Sequence, residues 1–404
     1  MNYWKEYFDF KTFILCIALV SIGLLSIYSA TFDVNNAATY YRQLQWAVFG
    51  FVVMMVVSFL PLSIIRRFAF AFYVLTLVVL AAVLVIGSTV KGSKSWFGVG
   101  GLGGQPSEFA KVATVLAFAS YLSKPNITIT NTKQGFLAIL IFITPMALIL
   151  AQPDLGTTVV FLGTLLPLFY WIGASPFLIV VIISPIIVAL GALWGVVYFL
   201  LSLVICGVML YVTHTNKFAL IVMIGALLLI GVSVQAVYER LPVYQQKRIA
   251  TFMNPEADPL GSAYNVTQSK IAIGSGGFVG KGFLRGTQTQ LNYIPEQWTD
   301  FIFCVPAEEF GFIGSLIVLL LFLFLILHGI TIASKSKNLF GSIAAIGFTA
   351  ILFIHTLINI GMSLGLMPVI GIPLPFMSYG GSALVADMMM AGLLMNFYSH
   401  RKEH

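Results

Sequence analysis

The chain has 404 residues, 59% of them hydrophobic and only 9% charged. A soluble domain carries roughly 25% charged residues, so an ordinary globular protein is excluded, and a chain this apolar is not a disordered one. The net charge of +7 is not gathered into a basic run or an aromatic-interleaved patch, so it gives no sign of a nucleic-acid partner and instead suits basic residues flanking membrane spans.

A crossing takes about 20 apolar residues. Charge-free runs of that length lie between Lys11 and Asp33, Arg42 and Arg66, and Arg67 and Lys91, and each predicts one helix. The run from Lys111 to Lys124 is shorter, so its helix must begin earlier, at Pro106, and draw Glu108 and Lys111 into the membrane edge. Lys133 to Asp154 predicts the next span. The run from Asp154 to Lys217 has room for three helices, with breaks expected near Trp171-Ile172-Gly173 and Trp194-Gly195. Lys217 to Glu239 and Glu309 to Lys335 predict one helix each. Lys337 to Asp387, broken by Pro368, Pro373 and Pro375, leads into a last helix that ends near Tyr398. The expectation is an all-α, polytopic membrane protein with about twelve transmembrane helices. Cys16, Cys206 and Cys304 supply neither a disulfide framework nor a Cys/His ligand set.

With the N-terminus inside, Lys5, Lys11, Arg66, Arg67, Lys124, Lys133, Lys217, Lys335, Lys337, Arg401 and Lys402 fall on the cytoplasmic side. The short outer loops receive only Arg42, Lys91 and Lys94. That bias predicts that both termini are cytoplasmic. The first span is too long for a signal-peptide core. Residues 239–307 break the pattern as a large, polar, Gly- and Tyr-rich loop expected outside the membrane. Within it, Val243 to Met253 carries Tyr244, Ile249 and Phe252 among Lys247 and Arg248, a pattern suited to an amphipathic helix in the headgroup region.

Acids near lipid are costly and tend to be paired or functional. Asp154, in Gln152-Pro153-Asp154-Leu155, suits a helix N-cap. Glu108 and Lys111 share a helix face, either as a structural ion pair or as substrate contacts. Asp387 stands alone in the last helix. The strongest candidate is Asp300, where the outer loop re-enters the membrane, with Glu308 and Glu309 a short distance on. A partly desolvated carboxylate there gains proton affinity, as a general base requires; a helix cap is the plainer alternative. These residues alone suit a transporter or an enzyme acting on a lipid-linked anion.

At these positions the chain resembles the SEDS family (shape, elongation, division and sporulation). The resemblance is carried by Lys91-Gly-Ser-Lys94-Ser-Trp96, Gln105-Pro-Ser-Glu108-Phe-Ala-Lys111 and Gln152-Pro-Asp154-Leu-Gly-Thr157. It continues in Gln268-Ser-Lys270-Ile, Thr299-Asp300-Phe-Ile-Phe303 with Glu308-Glu309, and Gly371-Ile-Pro-Leu-Pro-Phe-Met-Ser378-Tyr379. The Gln268-Ser-Lys270-Ile block, with Gly286-Thr287-Gln288 after it, resembles the elongation branch rather than the division branch. The resemblance implies a peptidoglycan glycosyltransferase that polymerises lipid II at the outer face of the bacterial cytoplasmic membrane. It would work with a class B penicillin-binding protein and the elongation machinery. Lipid II flipping is the alternative activity.

On that resemblance Asp300 is the catalytic acid. Lys94, Lys111 and Lys270 are candidate contacts for the departing diphosphate, and Trp96 either stacks on a sugar or anchors at the interface. Gln105, Glu108, Asp154, Glu308, Glu309, Ser378 and Tyr379 complete the expected substrate-binding set. No cofactor is required and no metal-ligand spacing is present; a divalent cation would be bridged largely by substrate phosphates. Ser95 and Trp298 depart from the family's usual Arg and His, and Pro306 interrupts a helix that is normally unbroken. The family's ten-helix core is exceeded here by two crossings, which predicts an inserted helical hairpin over residues 174–217 within one membrane domain spanning 1–404.

Overall fold

The computed structural model describes residues 7–403 apart from 33–36, 91–92, 100–101, 128–131, 214–216, 242, 255–262 and 292. Lys91 and the side chain of Lys94 therefore lie outside the described residues. The chain opens with α1 (Phe10–Thr31), α2 (Ala37–Ser58) and α3 (Leu62–Ile86). Three short strands come next, β1 (Ser88–Val90), β2 (Ser93–Val99) and β3 (Leu102–Gly104), then α4 (Pro106–Leu122), α5 (Thr132–Ala151) and α6 (Leu155–Trp171). After them stand α7 (Pro176–Trp194), α8 (Val196–Thr213), α9 (Lys217–Arg240) and α10 (Val243–Met253). The re-entering part holds α11 (Tyr264–Ser275), α12 (Thr287–Gln290) and α13 (Cys304–Glu309), and the chain closes with α14 (Gly311–Lys335), α15 (Leu339–Ser363) and α16 (Gly381–Ser399).

Among the described residues, eight helices (α1, α3, α5, α7, α8, α9, α14 and α15) are long and apolar enough to cross a membrane. The helical expectation holds, with one addition. The strands Ser88–Val90, Ser93–Val99 and Leu102–Gly104 form an antiparallel sheet in the order β1-β2-β3, pairing Ser88 with Trp96 and Phe97 with Gly104. The expected breaks fall in place, since α6 ends at Trp171 and α7 at Trp194.

Local chemistry explains the ends. The Asp9 carboxylate accepts from the N–H groups of Lys11 and Thr12, opening α1. Pro106 stands in the first turn of α4, where its missing N–H costs nothing. Asn396 of α16 donates its side-chain amide to the carbonyls of Val57, Ser58 and Leu60, so the free carbonyls at the end of α2 find a donor inside the bundle.

Two compact units form: Met1–Leu165 with Tyr264–His404, and Leu166–Ala263. In the first, α15 is the interior helix: 83% of its apolar stretch is buried, against 28% for α3 and 33% for α14, whose outer faces are left for lipid. The second unit holds α7, α8 and α9, packed on one another through Val180, Val188, Cys206, Leu210 and Leu227. Helices α7 and α8, joined at Gly195, lie within the segment expected to form a hairpin.

Candidate active site

Asp300 sits half-buried within a run of turns over residues 295–303. Polar residues hold this turn, and apolar ones anchor the backbone just beyond it. Gln297, fully buried, donates its amide to the Ala30 carbonyl at the end of α1 (2.9 Å). Phe301 packs with Ala272, Ile294 and Cys304 in a small core. Helix α13 starts later, with Phe303 at its N-cap position and no side-chain cap, so the capping alternative for Asp300 does not apply.

Three consecutive carbonyls of this turn are held by three different donors. Trp298 O accepts from the Tyr379 N–H (2.8 Å), Thr299 O from the Ser378 hydroxyl (2.6 Å) and Asp300 O from the Asn359 amide (2.9 Å). Two of these donors belong to the irregular segment between α15 and α16. Irregular backbone at membrane depth is tolerated only when protein satisfies its polar groups, and here it does. Ile372 O accepts from Asn359 (2.8 Å), Leu374 N–H donates to the Ser378 hydroxyl (2.8 Å), and Phe376 N–H donates to Asp387 (3.1 Å). Gln43 of α2 takes both Ser378 O and Gly380 N–H, each at 3.1 Å. Gly23 of α1 touches the same segment so closely that a Cβ there would stand 2.6 Å from the Met377 Cα.

Behind the segment lies a buried ion pair. Lys111 Nζ is 2.9 Å from Glu108 and 2.7 Å from His355 Nε2. With Nε2 accepting, His355 Nδ1 carries the proton that faces Pro373 O at 3.2 Å. Glu108 and Lys111 therefore form the expected helix-face pair, and both are buried. Asp154 caps α6: its carboxylate accepts from the Thr157 N–H (3.0 Å) and hydroxyl (2.8 Å), and also from Gln105 (2.8 Å). The Gln105 N–H donates to Ser382, which ties this corner to the start of α16. The half-buried Trp96 packs its ring over Gly103 of β3. Lys270 is exposed on α11, with its ammonium over Gly365.

Glu308 and Glu309 form a separate cluster under the glycine-rich loop. Glu308 accepts from Lys281 (2.7 Å), the N–H groups of Gln288 (2.9 Å) and Thr289 (3.0 Å), and the Thr289 hydroxyl (2.9 Å). Burial pushes its proton affinity up, but these donors outweigh it and hold the carboxyl below its usual range. Glu309 accepts from the Ser29 hydroxyl, the Leu284 N–H and Gln290. Its other oxygen has no hydrogen-bond partner among the described residues, and burial raises its proton affinity above the usual carboxylate value. The two acids thus fasten the loop to the membrane-side helices.

A family model for cell cycle proteins of the FtsW, RodA and SpoVE type matches residues 10–202 and 195–403. The chain belongs to this family. It is 35% identical to the peptidoglycan glycosyltransferase MrdB of Escherichia coli K12, over 99% of this chain and 96% of that protein. It is 36% identical to the peptidoglycan glycosyltransferase RodA of Treponema pallidum, over 96% of this chain and 97% of that one. Among solved structures it matches a chain from a peptidoglycan synthase complex, described as coordinating polymerization and crosslinking, with a TM-score of 0.72, 26% identity, and 98% and 99% of the two chains covered. The rod shape determining protein RodA of Thermus thermophilus matches with a TM-score of 0.65, 25% identity and 98% of each chain covered.

In this FtsW/RodA/SpoVE chain the structure brings Asp300 together with Ser378 and Tyr379, and Gln105 with Asp154. It sets Glu308 and Glu309 in their own cluster. Sequence reasoning passed over Asn359, His355, Gln43 and Gln297. For Asn359, His355 and Gln43 a signal was available, since polar side chains inside apolar helices demand partners, whereas Gln297 lies in a turn and gave none.

Proposed function

We infer that this chain is a peptidoglycan glycosyltransferase of the elongation type, polymerising lipid II into glycan strands at the outer face of the bacterial cytoplasmic membrane. The relatives' activity, carried over nearly the whole chain, supports the reaction class. The observation that carries the site is the clamped turn: three successive carbonyls are held at residues 298–300, so the backbone from which the Asp300 side chain projects is fixed before any substrate arrives. The acid is only half-buried, as a base that must meet a sugar requires.

In this mechanism Asp300 takes the proton from the 4-hydroxyl of the acceptor sugar. The freed oxygen forms a bond to the anomeric carbon of the donor. The bond from that carbon to the polyprenyl diphosphate breaks with inversion, and its electron pair leaves with the diphosphate. Exposed Lys270 is the cation best suited to meet the developing charge. Lys111, buried and paired with Glu108, is better suited to holding helices in place. The partner is a class B penicillin-binding protein that crosslinks the product; the match to a chain of a polymerization–crosslinking complex supports that pairing.

The deciding experiment uses the protein purified with its partner and supplied with lipid II. General-base catalysis contributes typically 10²–10⁴-fold, so Asp300→Asn should make no detectable polymer while inserting and binding its partner normally. Polymer at the wild-type rate would remove Asp300 from the mechanism.

A further inference from the structure

The segment that clamps the Asp300 turn is itself held from the membrane interior. Asn359, 0% exposed in α15, spends both amide hydrogens on it: one on Asp300 O (2.9 Å) and one on Ile372 O (2.8 Å). Asp387, 5% exposed in α16, accepts the N–H of Phe376 (3.1 Å), two residues before the hydroxyl that holds Thr299 O. Phe376 has φ +63 and Glu296, on the other side of the clamp, has φ +61. A left-handed backbone is rare for a bulky side chain and survives only where the surroundings over-determine it. Strain gathered on both sides of one turn, and nailed down by buried polar side chains, marks a conformation held for a purpose other than packing.

We propose that Asn359 and Asp387 are positioning residues for Asp300, acting through the Ile372–Tyr379 segment. Asn359 acts directly on the turn and the segment together. Asp387 fixes the strained Phe376 peptide, and so sets the register in which Ser378 and Tyr379 reach Thr299 O and Trp298 O. His355 supports the same stretch at Pro373 O. Asp387 works here as a hydrogen-bond acceptor, not as a proton carrier. The inference rests on Asp300 being the base.

The test measures glycan polymerisation at varied lipid II, with the protein in complex with its partner. Asn359→Leu keeps the branching of the side chain and removes both donors. A displacement of about 1 Å at a reacting group can cost roughly a hundredfold, so kcat should fall roughly tenfold to a hundredfold with KM within about twofold. Asp387→Asn keeps an acceptor oxygen for Phe376 and should stay within about threefold of wild type, whereas Asp387→Leu should lose kcat as Asn359→Leu does. Wild-type kcat in both leucine variants overturns the proposal. So does an asparagine at 387 as damaging as leucine, because charge and not the acceptor would then matter. If Asn359→Leu does not fold, the paired variants at 387 decide alone. Asp300→Asn on the same preparation separates the two readings: activity there removes the base, while inactivity there beside intact leucine variants removes only the positioning role.

Discussion

Glu308 is closed off from solvent by the loop it anchors, with the Lys281 ammonium and the Gln288 and Thr289 N–H groups on its oxygens. Because its folded proton affinity is depressed, its stabilisation is present above the ordinary carboxylate range and disappears as pH falls through that range to the depressed value. Glu309 has the opposite sign. Its raised proton affinity means that the folded state loses stability as pH climbs past the ordinary carboxylate value, and the loss is complete above the raised one. Glu308→Gln should therefore lower the unfolding temperature of the detergent-purified protein at neutral pH and flatten its acid limb, at a cost of about 1.5–3 kcal/mol for charge-assisted bonds. Glu309→Gln should hold or raise that temperature, since the amide imitates the protonated acid. Thermal unfolding tracked across the acid-to-neutral range checks both, and equal losses in the two variants would contradict the assignment.

At the scale of elements, the glycine-rich loop is laced to the end of α13 and the start of α14 by backbone pairs. Lys281 and Gly282 donate to Glu308 O and Glu309 O, and Phe312 donates to Gly277 O. Gly280 sits between these pairs with φ +83, and a Cβ there would stand 2.1 Å from Glu309 O. Gly280→Ala should unlace the loop and cost at least about 1–3 kcal/mol from backbone strain alone. Faster limited proteolysis within residues 276–291 would report it; wild-type resistance would mean that the lacing carries little. The helices were readable because lipid imposes a length and forbids charge, so charge-free runs marked α1, α3 and α14, and the amphipathic pattern marked α10 over Val243–Met253. The β1–β3 sheet was not readable, since Ser88–Gly104 lacks the alternation of a half-buried strand and its order comes from pairing across turns. At the site, Asp300 stood out because it lies where polar sequence meets apolar sequence. Asp387 was visible as a charge, but its partner Phe376 is a backbone N–H that no side-chain pattern announces. Asn359 left no break in the apolar run of α15, so only the fold reveals what it holds.

For the whole molecule, the function rests on the side of the membrane to which residue 300 is delivered. The basic residues predict that side through the loops, and the expected hairpin over residues 174–217, within which α7 and α8 lie, must add an even number of crossings for the prediction to stand. A single exposed thiol tests both conditions at once. The native Cys16, Cys206 and Cys304 are all buried and should not compete for a bulky charged maleimide. Arg285 and Lys337 are exposed and lie on opposite expected faces. Arg285→Cys should react in intact spheroplasts, and Lys337→Cys only after the membrane is permeabilised. The reverse pattern would place Asp300 in the cytoplasm, where a polymer of cell-wall glycan could not be delivered. Labelling of both from outside would mean that α14 does not cross between them, and the turn that presents Asp300 would then lack the membrane anchor from which α14 descends.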